Sequence, residues 1–176
     1  MGLISAFDGG DALMPTANDL LHHWKSYREA RKTLLAVVGC PDSNRDPLAE
    51  FSEQLVAALI GGRLPISRVQ KDYDIIGSDG QYVQVRYVAN PKGSWVNGHD
   101  VVFEGVTTHY AVVVIEDLRP VTAIIFPKDA IAETSGVLGK RHKNHDSMIS
   151  LTQANVRKIL AEHGRFEALG LGVYHL

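Results

Sequence analysis

The sequence predicts an α/β domain with a mixed central β-sheet flanked by helices, and three observations predict it. Apolar residues recur at helical spacing over 16–38 and again over 46–60. The stretch "KDYDIIGSDGQYVQVRYV" (71–88) has the two-residue alternation and central turn residues of a β-hairpin. Two runs, "HYAVVVIE" (109–116) and "VTAIIFP" (121–127), are almost continuously apolar, as strands covered on both faces are.

Taken in order, residues 1–15 are Gly-rich and irregular and read as an N-terminal arm, with a single domain over 16–176. In the first helical stretch, Leu20, Leu21, Trp24, Tyr27, Leu34, Leu35 and Val38 supply the periodic positions; Pro15 precedes it and Gly39–Pro41 ends it. The second helix has Asp46 to cap it, Pro47 in its first turn and Gly61–Gly62 to stop it. Leu48, Phe51, Leu55 and Leu59 form its expected buried stripe, with Glu50, Glu53 and Gln54 on the other side. A short extended piece (63–67) leads into the hairpin, and the turn-rich "PKGSWVNG" (91–98) follows it. "DLRP" joins the two apolar strands, 131–138 reads as a short helix, and "SLTQANVRKILAEHG" reads as a capped helix ending at Gly164.

Composition narrows the classes. Hydrophobic residues make up 45% and charged residues 22% of 176, enough for one folded core and too apolar for a disordered chain. The net charge of −2 excludes a protein that coats nucleic acid by overall charge, so any such contact is local. "GKRHKNH" (139–145) is the local candidate, placing Lys140, Arg141, His142 and Lys143 where they would meet phosphates. No apolar run approaches the ~18 residues of a membrane span, and no signal-peptide layout opens the chain. The lone Cys40 reads as a packed thiol; with no partner for a disulfide, a reducing cytoplasm is the expected setting. His142 and His145 lack the Cys or second pair that a zinc site needs. P-loop, dinucleotide and nucleophile-elbow signatures are missing.

Turn length decides the chemistry of the hairpin. Read as a three-residue "SDG" loop with Gly80 left-handed, the turn sets Gly77 opposite Gln81, Ile76 opposite Tyr82, Asp74 opposite Gln84 and Asp72 opposite Arg86. Val83, Val85, Tyr87 and Ala89 then pack on one face, while Tyr82, Gln84, Arg86 and Val88 point the other way. Asp74, Gln84 and Arg86 would gather on that second face. Two readings follow: a half-exposed polar sheet face with an Asp–Arg pair, or a metal-dependent hydrolytic site. Mg²⁺ takes hard oxygens, which Asp74, the Gln84 side chain and the Val85 carbonyl offer, and an adjacent cation would offset charge growing on a phosphate.

"YDIIGSDGQYVQVRY" resembles the signature of the PD-(D/E)xK nuclease superfamily in its Mrr-type Gln-x-Lys form. Asp74 stands for the motif Asp, Gln84 for the Gln, and Arg86 for the Lys. The resemblance spans roughly residues 46–126 and implies a restriction-endonuclease-like fold and a metal-dependent endonuclease acting on DNA, in a restriction or defence setting. It also implies Mg²⁺ or Mn²⁺ held by Asp74 and Gln84 with Glu50 or Glu53 from the preceding helix, a catalytic set of Glu50, Asp74, Gln84 and Arg86, and a homodimer. Two departures stand out. Arg86 keeps its proton where a Lys can release one, and the usual helix after the motif strand is replaced by an insertion over 90–108 carrying Trp95, His99, Asp100 and Glu104. The alternatives are a catalytically degenerate nucleic-acid-binding or protein-interaction module on the same fold, and an unrelated α/β protein with a structural polar hairpin.

Overall fold

The computed structural model describes residues 16–43, 45–66, 72–90, 99–139 and 147–176. The chain divides into two compact units, 1–43 and 44–176, where the sequence reads one domain from residue 16 onward. In the first unit, helix α1 (Ala17–Val37) starts at Thr16, whose side chain accepts from the Asp19 amide while Asp19 accepts from the Thr16 amide. The helix is present as its spacing predicts, but Leu20, Leu21, Trp24 and Tyr27 are exposed. Periodicity reports a stripe; it does not guarantee that something covers it.

The second unit runs α2 (Pro47–Ile60), β1 (Ile75–Ile76), β2 (Tyr82–Asn90), β3 (His99–Val102), β4 (His109–Glu116), β5 (Arg119–Pro127), a 3-10 turn (Lys128–Ala130), α3 (Ile131–Val137), β6 (Met148–Leu151), α4 (Gln153–Ala161), α5 (His163–Glu167) and β7 (Gly172–His175). It is a mixed α/β structure built on a five-stranded mixed sheet in the order β1-β2-β4-β5-β7. Among the described residues β2 and β4 pair in parallel and the other neighbours are antiparallel. A second, two-stranded sheet joins β3 to β6.

Each face of the main sheet has its own core. Val83, Val85, Ala111, Val113, Ile115, Ala123 and Ile125 pack with Val56 and Ala57 of α2. Tyr110, Val112, Val114, Ile124 and Phe126 pack on the opposite face with Ile131, Val156, Ile159 and Phe166 from α3, α4 and α5 and with the β3–β6 pair. The central β4 and β5 are buried on both sides, as their Val and Ile content predicts. Each such side chain contributes about 1.5–3 kcal/mol of transfer free energy.

The hairpin closes in the predicted register. Ile76 pairs with Tyr82, the Gly77 amide donates to Gln81 at 2.8 Å, and Gly80 sits at φ +80°. Ladder pairing stops at Ile75, so Asp72 does not face Arg86: its carbonyl accepts from Thr107 Oγ1, and its carboxylate lies against Gly105. Ala89 is exposed rather than packed. Helix α2 begins at Asp46, which accepts from the Leu48 amide at 3.0 Å, and ends at left-handed Gly61, both as predicted. Its buried face, however, is Glu50, Ser52, Glu53, Val56 and Ala57, while Leu48, Phe51, Leu55 and Leu59 are half-buried. The helix is rotated relative to the expected stripe, and the buried Glu50 and Glu53 pair with the partly exposed Arg45. At the C-terminus α4 ends at Ala161, short of the expected stop at Gly164, which instead lies within α5, and the chain then adds β7 to the sheet edge.

Candidate active site at the hairpin

Asp74 lies where the hairpin ladder gives out, and its side chain takes over from the backbone. Its amide donates to Val83 O at 2.9 Å, and its Oδ2 accepts from the Val85 amide at 2.8 Å. The same oxygen accepts from Gln84 Nε2 and lies 3.7 Å from Arg86 NH1. Arg86 NH1 also donates to Val85 O at 3.0 Å. The structure thus brings Asp74, Gln84 and Arg86 together, with Asp74 Oδ2 at the centre. Gln84 is buried, whereas Arg86 is exposed.

Glu50 and Glu53 are only 2% and 4% exposed. Arg45 joins them: its NH1 lies 3.2 Å from Glu50 Oε1 and its NH2 2.7 Å from Glu53 Oε1. Desolvation pulls the Arg45 guanidinium down, but Glu53, Glu50 and Asp74 outweigh it and leave it raised. Arg45 is therefore within electrostatic reach of all three carboxylates, and with Glu53 and Arg86 it lines a pocket of about 110 Å³. Sequence reading missed Arg45. The available signal was its place just before the Asp46 cap, from which a long side chain reaches back over the first turns of the helix.

The other face of β2 carries a larger polar cleft of about 200 Å³, lined by Gln84, Arg86, Asp100, Glu104, Thr107 and Tyr110. Gln84 and Tyr110 are partners in the parallel β2–β4 register, so they share this face. His99 Nε2 lies 3.0 Å from Tyr110 Oη, and Asp100 accepts from Ser150 Oγ at 2.6 Å. Burial and then Arg86 push the His99 imidazole below its usual range, with Asp100 opposing them. Burial raises Tyr110 to about 12, against Arg86 and with help from Asp74, Glu104 and Asp100. A roomier cleft of about 340 Å³ lies at the turn end of the hairpin beside Ser78, Asp79 and Gln81, apart from this charged cluster.

The donor set can be tested against a divalent cation. Asp74, the Gln84 side-chain carbonyl and the Val85 carbonyl are hard oxygens and fit Mg²⁺ or Mn²⁺ in kind. Gln84 turns its amide nitrogen to Asp74, so a half-rotation of that amide would present its oxygen instead. Glu50 and Glu53 are committed to Arg45, and among the described residues no group of three or more His, Cys, Asp or Glu is arranged to hold a metal ion. Lys140, Arg141, His142, Lys143, His145 and Trp95 lie outside the described residues. No helix among the described residues is long and apolar enough to cross a membrane.

The charged hairpin of a mixed α/β sheet is thus the centre of the site. The chain matches no protein-family model and no curated protein.

Proposed function

We propose that residues 44–176 form a PD-(D/E)xK-type nuclease domain of restriction-endonuclease-like fold that hydrolyses DNA phosphodiester bonds with Mg²⁺ or Mn²⁺. One observation carries the reading: Asp74, Gln84 and Arg86 converge on a single carboxylate oxygen, in the motif's order. Two others support it. The helix before the hairpin carries two buried carboxylates whose partner Arg45 also feels the Asp74 charge, and the strands that follow are apolar and central. In this reading Asp74, the Gln84 carbonyl and the Val85 carbonyl would hold the ion, which would supply Lewis acidity toward the phosphate. Arg86 adds a permanent positive charge where negative charge grows in the transition state. In this reading the basic residues Lys140, Arg141, His142 and Lys143 grip the backbone.

The test is cleavage of plasmid DNA by the full chain with Mg²⁺ or Mn²⁺. Asp74→Asn keeps an oxygen to accept from the Val85 amide but loses the charge. Cleavage is expected to fall by about 10²–10³-fold in this variant, with the melting temperature little changed. An Asp74→Asn protein as active as the wild type sinks the proposal, as does a wild type that cuts no DNA with either ion.

Arg86 favours one other reading, a nucleic-acid-binding module without catalysis. A guanidinium grips phosphate but passes no proton at working pH. Salt-dependent DNA binding without cleavage would establish that reading.

A further inference from the structure

We propose that Tyr110 and His99 form the proton-transfer pair of this site, accepting the proton of the attacking water that Arg86 is unable to accept. The proposal rests on the hydrolytic reading above and names the group that reading leaves open.

The geometry begins with the sheet. Tyr110 sits beside Gln84 in the β2–β4 register and lines the same cleft as Gln84 and Arg86. Behind it, His99 comes from β3, which pairs with β6 and not with the main sheet. The two rings are 5.9 Å apart and 3.0 Å separates Nε2 from Oη. Phe103 packs edge-on against Tyr110 at 6.1 Å and helps fix its ring. The phenol therefore stands between the cleft and an imidazole.

The charges around the pair assign the roles. Tyr110 holds its proton across the neutral range, so it is no base by itself. His99, desolvated and facing Arg86 from β2, favours the neutral imidazole with one free lone pair. Asp100, next to it on β3 and held by Ser150 of β6, is the group that stabilises the imidazolium once formed. Asp74 and Glu104 act on the Tyr110 side.

The step balances as follows. The water oxygen bonds to phosphorus as one water proton passes to Tyr110 Oη. The phenol proton passes at the same time to His99 Nε2, giving an imidazolium. The bond from phosphorus to the leaving nucleoside oxygen breaks, its electron pair stays on that oxygen, and solvent protonates it. His99 then returns its proton to solvent through Tyr110. Arg86 stays protonated throughout and stabilises the charge on phosphate. Tyr110 touches the reacting water; His99 acts through it.

The experiment is the pH dependence of plasmid cleavage by the full chain and by two variants, with melting curves to confirm that each is folded. Wild-type kcat/KM is expected to fall on the acid side with a one-proton limb below pH 6.5, the ordinary histidine value from which His99 is lowered. Tyr110→Phe keeps the ring and its packing and is expected to lower kcat by about 10²-fold or more with KM little changed. His99→Gln is expected to lose a similar factor and flatten the acid limb. If cleavage depends on Asp74 while folded Tyr110→Phe and His99→Gln proteins keep the wild-type rate and limb, this proposal falls alone. If the wild type cuts no DNA, it falls together with the nuclease reading.

Discussion

On the helix-facing side of β2, Arg45 is closed around Glu50 and Glu53, two of the most deeply buried charges in the unit. On the opposite side Arg86 stands half out of a cleft of about 200 Å³, with one carboxylate oxygen at 3.7 Å and a backbone carbonyl at 3.0 Å. The same residue type stands in two settings, although both side chains reach the smaller pocket between them. Arg45 neutralises carboxylates that burial would otherwise penalise. Arg86 is exposed and loosely paired, which under the proposed function leaves it free to meet a phosphate. Structural charge and chemical charge can thus be told apart by what remains when each is removed.

The sharpest way to break that contrast is to delete the two cations in turn. Arg45→Ala leaves two buried carboxylates without this partner and is expected to cost about 2–3 kcal/mol, between the values for buried and exposed pairs because Arg45 is itself partly exposed. Arg86→Ala should cost less than about 1 kcal/mol. Urea unfolding measures both, and the reverse order would overturn the comparison.

A smaller effect is expected at Asp46, which serves the helix face twice. One oxygen caps α2 through the Leu48 amide, and the other accepts from the Tyr87 hydroxyl. That bond first, then burial and the Asp46 charge, push Tyr87 up to about 12. The neutral phenol is therefore favoured in the folded state. Its stabilising contribution is complete below pH 10, the ordinary tyrosine value, and is lost as pH rises through about 12. Asp46→Ala is expected to cost about 1 kcal/mol as a cap. It should also move one tyrosine step in an ultraviolet pH titration back toward 10; an unmoved step would deny the bond.

The smallest change touches neither face and sets a baseline. Asp117 and Leu118 close the β4–β5 hairpin at φ 51° and 59°, and Leu118 is exposed. Leu118→Gly removes a side chain from a left-handed position and is expected to raise stability by up to about 1 kcal/mol, read from the melting temperature. DNA cleavage should not change.

Much of this arrangement was legible in the sequence where the signal is local. Asp46, Pro47 and Gly61 bound α2 because caps act within a turn, and "SDG" fixes the hairpin register because three residues determine it. That register was enough to bring Asp74, Gln84 and Arg86 together. The failures are all non-local. Glu50 and Glu53 read as lying opposite the buried stripe because hydropathy cannot see Arg45 reaching back over them. Asp72 was carried along the ladder to Arg86, but β1 ends at Ile75. His99 was visible only as part of an insertion, since its partner Tyr110 lies on another strand and β3 is held in place by β6, nearly fifty residues on. Trp24 and Tyr27 hold periodic positions yet are exposed, because periodicity marks a face without saying what meets it.

One rung of the β1–β2 ladder is a side chain. The Val85 amide, in the middle of a buried strand, is closed by Asp74 Oδ2 and not by a backbone carbonyl. Its exchange with solvent deuterium therefore reports on a carboxylate as well as on the sheet. Opening this strand edge breaks a side-chain bond as well as backbone ones, so Asp74 helps to set how readily the hairpin opens.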